Sequence, residues 1–262
     1  MVNQLPDPGL GTRVRVLPRL DALTRTALEE LEAWFTEHPD AYVAISGGKD
    51  STTVLHLARQ VNPNVKAAFF DSGLEFPQTL RYIERLQEHW GFDLHTFHAE
   101  PSALDVMVEN GSWEHGAFKT DKDYLHDACI IRPLARAQEA LGRYSVYGLR
   151  ADESSTRLIL LAKGRGRVTK HDSHGDIQQG YLAPIWRWSF EEVYGYLERN
   201  KVPMNPIYAA LKRLGVPERR ARVGLLIDGW SLDQGRWALA RMLAPDLCRL
   251  VETHLPALAD YR

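Results

Sequence analysis

The stretch Ala41-Tyr-Val-Ala-Ile45, followed at once by Ser46-Gly-Gly-Lys-Asp-Ser51, constrains this chain more than any other segment. Five apolar residues in a row after Pro39-Asp40 predict a short strand buried on both faces. Beyond Ser51, Val54, Leu55 and Leu57 predict a helix running to about Gln60. The two glycines between let the backbone turn sharply and approach a ligand with no Cβ in the way. A strand, a tight turn and a helix open a βαβ unit, and the amides at the head of such a helix favour an anion.

The rest of the chain repeats this alternation. Leu20, Leu23, Ala27, Leu28, Leu31, Trp34 and Phe35 predict an amphipathic helix before the first strand, behind an irregular arm over residues 1–19. Val65–Phe70, Asp93–Phe97, Tyr144–Tyr147 and Tyr181–Ile185 read as further strands. Gln78–Trp90, Pro133–Leu141, Ser154–Ala162 and Ser189–Asn200 read as helices, and the remainder as helical. Residues 100–127 lack a long period and are expected to form a mobile or substrate-facing segment; residues 163–179 are expected to form a polar, basic loop. The fold class is α/β: a mostly parallel sheet flanked by helices, with a helical C-terminal extension. The expected division is an arm and helix over 1–40, a nucleotide-binding domain over 41–188 and a helical region over 189–262. Ligands of such sheets bind outside the carboxyl ends of the strands. Ser46–Ser51, Asp71–Glu75 and Gly148–Arg157 all follow strands.

Composition narrows the function classes. The 262 residues are 44% hydrophobic and 25% charged with a net charge of -2, so a globular chain is expected and net charge does not indicate nucleic acid, although a local basic patch could touch it. The only cysteines, Cys129 and Cys248, cannot build a four-cysteine cluster, so no iron–sulfur cluster is expected. No apolar stretch reaches the length of a membrane span, and no leader is visible at the start. A reduced, cytoplasmic protein away from the membrane is the expectation.

The Gly-Gly loop points to a nucleoside triphosphate. Ser46, Gly47, Gly48, Lys49 and Ser51 supply amides, an ammonium and hydroxyls for the pyrophosphate part of ATP, leaving the α-phosphorus open to attack. Asp50 would repel a bare phosphate, so Mg²⁺ held by Asp50 is expected between them. The competing reading is an ordinary glycine-rich turn. Val43 and Asp50 exclude the usual G-x-x-x-x-G-K-[ST] loop.

These residues resemble a known family. Ser46-Gly-Gly-Lys-Asp-Ser51 after Tyr-Val-Ala-Ile is similar to the PP-loop of the N-type ATP pyrophosphatases, whose fold is the adenine nucleotide alpha-hydrolase-like, Rossmann-like sheet. Asp71-Ser-Gly-Leu-Glu-Phe-Pro77 resembles the D-T-G-x-x-F-P stretch of the phosphoadenosine phosphosulfate reductase family. Gly148-Leu-Arg-Ala-Asp-Glu-Ser-Ser-Thr-Arg157 resembles its G-x-R-x-x-E-S-x-x-R. Pro184–Trp188 and Val202–Tyr208 resemble its later segments. The resemblance spans roughly 41–210. It implies binding of ATP and Mg²⁺, with cleavage to AMP and pyrophosphate by adenylation of an anionic acceptor. The thiol reductases of this family carry a cysteine in an E-C-G-x-H setting near the C-terminus, which this sequence lacks; at Ala128-Cys129-Ile-Ile-Arg132 a single thiol stands where cluster-bearing branches carry a pair.

The remaining loops extend the site. Asp71 would meet the base, the ribose or Mg²⁺, or else serve as a turn residue, with Ser72 and Gly73 passing close to the adenosine; Glu75 reads as a charge in the first turn of a helix. Gly148 precedes Arg150 and Arg157, either of which can clamp a phosphate or an anionic substrate, with Glu153 orienting them. The alternative is ordinary ion pairing on a surface helix. Lys163–His174 could close over phosphates; His171 and His174 lack further zinc ligands. Trp186 and Trp188 read as packing aromatics, with base stacking as the alternative. The catalytic set is thus Lys49, Asp50, Arg150 and Arg157, acting in a PP-loop ATP pyrophosphatase that adenylates an oxyanion in sulfur metabolism or sulfur incorporation. A sulfur donor protein or a larger sulfur-transfer complex would be the partner. The alternatives are a sulfonucleotide reductase and a non-catalytic nucleotide-binding subunit.

Overall fold

The computed structural model of the chain describes residues 19–110, 112–114, 117–119, 122–171, 177–217, 220–224 and 236–260. They fall into two compact units interleaved along the chain. One comprises Met1–Phe69, Glu84–His95 and Ala137–Met204, the other Phe70–Ile83, Thr96–Arg136 and Asn205–Arg262.

The first unit is built on the sheet. Helix α1 (Leu20–Glu37) buries Leu20, Ala27, Leu31, Trp34 and Phe35, the spacing that marks it in the sequence. Strand β1 (Tyr42–Ile45) is buried at all four positions, as expected of a central strand covered on both faces. It leads into α2 (Lys49–Val61). Strands β2 (Ala67–Asp71) and β3 (Leu94–His98) flank α3 (Pro77–Trp90) in the chain. Strand β6 (Tyr144–Val146) follows α6 (Arg132–Leu141), and α7 (Ser155–Gly164) runs into β7 (Arg167–His171) and β8 (Ile177–Leu182). The sheet order is β3-β2-β1-β6-β8-β7. The β1–β2, β1–β6 and β6–β8 pairs are parallel, with Val43 opposite both Ala67 and Val146. The loops that leave β1 and β6 therefore emerge side by side at the carboxyl end of two adjacent strands. Helix α8 (Phe190–Arg199) starts at a capping box between Ser189 and Glu192.

Gly180 of β8 lies against the Tyr144 ring, where a Cβ would come within 2.7 Å of it. Tyr144 in turn stacks on His38 at 3.6 Å.

The second unit contains α4 (Ala103–Asn110), the hairpin β4 (Ser112–Glu114) and β5 (Ala117–Lys119), α5 (Lys122–His126), a π-helical turn over Asp127–Ile131, and α9 (Pro206–Arg213). Two later helices cover Arg236–Leu243 and Pro245–His254.

Three expectations need correction. Of residues 100–127, expected to be mobile or substrate-facing, the described part corrects the first alternative: Ala103, Val106 and Met107 of α4 are fully buried, and an antiparallel hairpin follows. The elements are too short for a long period to show. The basic stretch after residue 163 is not a loop throughout, since β7 pairs antiparallel with β8. Among the described side chains of this edge strand, only Val168 is buried, between cations, which hides the alternation. The last strand begins at Ile177 rather than Tyr181 and ends at Leu182. The arm over residues 1–18 and His174 lie outside the described residues, as does the side chain of His171.

Candidate functional site

The loop from β1 to α2 is fixed by its own side chains. Gly47 takes φ +69°, a left-handed conformation that favours glycine, and Gly48 is the extended residue that starts α2. The Ser51 hydroxyl accepts from the Ser46 amide at 3.1 Å and donates to the Gly48 carbonyl at 3.1 Å. The Ser46 and Ser51 hydroxyls are 3.1 Å apart, and the Ser46 hydroxyl accepts from the Gly48 amide at 3.4 Å. Ser46 is exposed while Lys49 and Ser51 are buried. The loop thus presents its hydroxyl end outward and holds its cation inside.

Charge links this loop to the exit of β6. Lys49 Nζ donates to Asp50 Oδ2 at 2.6 Å, and Arg150 Nε donates to Asp50 Oδ1 at 2.6 Å. Arg150 NH1 also donates to both carboxylate oxygens of Asp152, at 2.6 and 2.8 Å. Its NH2 lies 3.7 Å from Glu153, whose other oxygen pairs with Arg157. Lys49 and Arg150 are each only 4% exposed at the side chain. Buried cations must be paired, and three carboxylates meet that demand. The Lys49 ammonium also lies 5.7 Å from the centre of the Phe190 ring.

Gly148 makes the approach possible. A Cβ there would sit 2.6 Å from the Asp50 carbonyl carbon and 2.6 Å from the Ser51 nitrogen. The strand exit and the β1–α2 loop are in backbone contact, a second use of glycine that the sequence signals only through the motif. Downstream, Ser154 caps α7 by accepting from the Arg157 amide at 3.2 Å.

Of the residues singled out in the sequence, Ser46, Gly47, Gly48, Lys49, Asp50, Ser51, Gly148, Arg150 and Arg157 come together in the first unit. Their arrangement suits a polyphosphate: a buried ammonium, an exposed hydroxyl, and a helix N-terminus. It suits Mg²⁺ at Asp50 poorly, because both Asp50 oxygens already accept from cations, and no group of three or more metal-ligating side chains occurs among the described residues. Arg150 is likewise committed through Nε and NH1, which leaves it little scope as a bidentate phosphate clamp in this arrangement.

Asp71, Ser72 and Gly73 belong to the second unit. Asp71 Oδ1 accepts from the Gly73 amide at 2.8 Å and Oδ2 lies 3.1 Å from His98 Nδ1. The Ser72 hydroxyl donates to Glu75 Oε1 at 2.9 Å. Gly73 has φ +83°, with Ser102 close enough to crowd any Cβ. Glu75 corrects the reading of a first-turn charge. Pro77 opens α3 two residues later, and the Glu75 backbone bridges to Gly224. Burial, with the nearby Asp71 charge adding to it against the Ser72 hydrogen bonds, pushes its carboxyl up to about 7. Proline at the head of a helix was the one available signal that Glu75 stands outside it.

Glu75 gives a pH-dependent prediction. A folded-state value above the ordinary 4.5 means that the native state holds this proton more tightly. Its contribution to stability is fully present below about pH 4.5 and is lost as pH rises through 7. Glu75→Gln is therefore expected to be close to wild type at pH 5. At pH 8 it gains stability over wild type, on the order of 3 kcal/mol at most. Urea unfolding of both proteins at the two pH values checks this, and equal differences at both would refute it.

Residues 40–216, more than half of the chain, match the family described as the phosphoadenosine phosphosulfate reductase domain. A phosphoadenosine 5'-phosphosulfate reductase of Alteromonas mediterranea is 29% identical over 192 residues, covering 72% of this chain and 73% of its own length. An adenosine 5'-phosphosulfate reductase of Bacillus mycoides is 26% identical over 219 residues, covering 82% and 87%. Among solved structures, the phosphoadenylyl-sulfate reductase of Candida auris in a phosphate complex aligns with a TM-score of 0.52 at 22% identity, over 76% of this chain and 92% of that one. The FMN adenylyltransferase of Candida glabrata with FAD and pyrophosphate aligns with a TM-score of 0.52 at 13% identity, over 72% and 59%. Those two likenesses speak for the fold, a mostly parallel PP-loop-type sheet flanked by helices. On the match over residues 40–216, the chain belongs to the phosphoadenosine phosphosulfate reductase domain family.

Proposed function

We propose that this chain is an adenylating enzyme of sulfur metabolism. ATP sits with its pyrophosphate on Ser46–Ser51, and an anionic acceptor attacks the α-phosphorus. The new bond is acceptor oxygen to phosphorus; the bond broken joins the α-phosphorus to the bridging oxygen, and pyrophosphate leaves with that electron pair. An acceptor that is already an anion needs no general base. Catalysis then rests on alignment and on neutralising charge at the leaving phosphates. The observation that carries this reading is Lys49: a buried ammonium held in a Gly-Gly loop at the head of α2 and paired with Asp50.

The relatives, themselves named as sulfonucleotide reductases, favour a second reading, sulfonucleotide reduction, at least as strongly. That chemistry needs a thiolate as nucleophile. Both cysteines are buried. Burial pushes each thiol up to about 11, with the charge of Glu75 adding to it at Cys129 and that of Glu252 at Cys248. Neither is prepared for the task in this arrangement.

One experiment separates the two. The protein is incubated with ATP, Mg²⁺ and sulfate or other oxyanions, and separately with each sulfonucleotide and a dithiol. Pyrophosphate and an AMP adduct are expected in the first set, unchanged in a Cys129→Ser, Cys248→Ser double variant. Sulfite from the second set, lost in the double variant, together with no turnover of ATP, would replace the first reading with the second.

A further inference from the structure

Helix α7 buries little of its apolar surface. Of its ten residues Leu161 alone is buried, packed with Val168, Tyr181 and Ala183 in the first unit. Leu158, Ile159 and Leu160, the three residues before it, are 50%, 71% and 43% exposed. A single exposed apolar residue is ordinary, whereas an adjoining set on one short helix marks a surface that meets something. At about 100° per residue, Ile159 stands about 200° round from Leu161, on the side away from that buried cluster. Ser155, one turn before Ile159, and Ala162 and Lys163, one turn after it, share its side of the helix, and all three are exposed. One large apolar side chain at the middle of the helix is thus flanked by small ones at either end.

We propose that this face of α7 docks on the same face of a second copy of the chain, the two helices running antiparallel about a two-fold axis at Ile159. The inference does not depend on what the β1–α2 loop binds. The face is self-complementary, as such an axis requires. Ile159 meets its own counterpart, while Ser155 of one copy lies opposite Ala162 and Lys163 of the other, where small side chains let the backbones approach. Charge is complementary in the same orientation. The turn before α7 carries Glu153 and Asp152, whose side chain is 39% exposed; at the other end stand Lys163 and Arg165, both exposed. Antiparallel pairing sets the basic end of each copy against the acidic turn of the other, twice over. Arg157 stays out of this meeting: it lies about 200° round from Ile159 and pairs with Glu153. Ser155, Thr156 and Lys163 leave the apolar stripe too narrow to lie in a lipid surface, which favours a protein partner. One short helix face is a small interface, so the association is of the weak, concentration-dependent kind.

Sedimentation velocity of the full chain from about 1 to about 500 µM is expected to show monomer giving way to dimer. Ile159→Asp removes an apolar side chain from each copy and sets two carboxylates together at the axis, so the dissociation constant is expected to rise about a hundredfold or more. Lys163→Glu is expected to raise it about tenfold. Met242→Asp, at a residue 68% exposed on the helix over Arg236–Leu243, is expected to leave it unchanged. The circular dichroism spectrum and urea midpoint of Ile159→Asp are expected to match wild type, because the side chain is already exposed. Geometry is read by cross-linking. Both native cysteines are buried, so Ile159→Cys supplies the accessible thiol. With diamide as the added oxidant, two such thiols give up two protons and two electrons, diamide becomes the hydrazine, and a disulfide joins the copies; Met242→Cys is expected to form none. A monomer at every concentration, a dimer of wild-type strength in Ile159→Asp, or no cross-link through Ile159→Cys would overturn the proposal. Co-sedimentation of the wild type with phosphatidylcholine–phosphatidylserine vesicles, lost in Ile159→Asp, would overturn it in favour of a lipid surface.

Discussion

Asp50→Ala is expected to cost about 3–5 kcal/mol of folding stability, the largest loss of stability from any single change at this site. The carboxylate removed is the shared partner of Lys49 and Arg150, each 4% exposed at the side chain. Arg150 keeps Asp152, while Lys49, beside the Phe190 ring, loses its carboxylate. Taking one partner from a buried ion pair is a usual source of losses this large. Asp50→Asn keeps the shape and one acceptor oxygen, so its loss should be smaller. The check is the urea midpoint of the three proteins at one pH. A midpoint for Asp50→Ala indistinguishable from wild type would mean that the ion pairs are not formed in solution.

Gly148→Ala is the second large effect. A single methyl would have to occupy space 2.6 Å from the Asp50 carbonyl carbon and the Ser51 nitrogen and 2.8 Å from the Asp50 oxygen. These are backbone atoms at the head of α2, which cannot rotate away as a side-chain tip could. The strand exit or the phosphate loop must shift, at about 1–3 kcal/mol of stability. Loop amides displaced by a few tenths of an ångström no longer converge on one phosphate, so ATP affinity should fall more than tenfold. Thermal unfolding and calorimetry on the same preparation measure both. Wild-type affinity in Gly148→Ala would show that the two loops do not act as one cradle.

How far the sequence carries these arguments depends on the range of the interactions involved. The strand–Gly-Gly–helix element was legible because its signals are local: an apolar run, two glycines, and Val54, Leu55 and Leu57 in helical period. The sheet followed from alternation alone. Partners distant in sequence were not legible. Nothing near Arg150 states that it bonds Asp50, 100 residues earlier. Glu75 looks like any helix-start charge until the fold buries it against Ser72. Strand β7 was hidden because an edge strand keeps polar residues outward and needs only Val168 inside. The interleaving of the two units along the chain likewise arises from tertiary contacts that no window of sequence contains. Among the described residues, no helix is long and apolar enough to cross a membrane.

The central claim, that the turn between β1 and α2 holds the phosphates of ATP, is tested most directly by a crystal structure of the chain with an ATP analogue whose α–β bridge is a methylene group. The account predicts the β- and γ-phosphates on the amides and hydroxyls of Ser46–Ser51. A nucleotide bound elsewhere with this turn empty would contradict it.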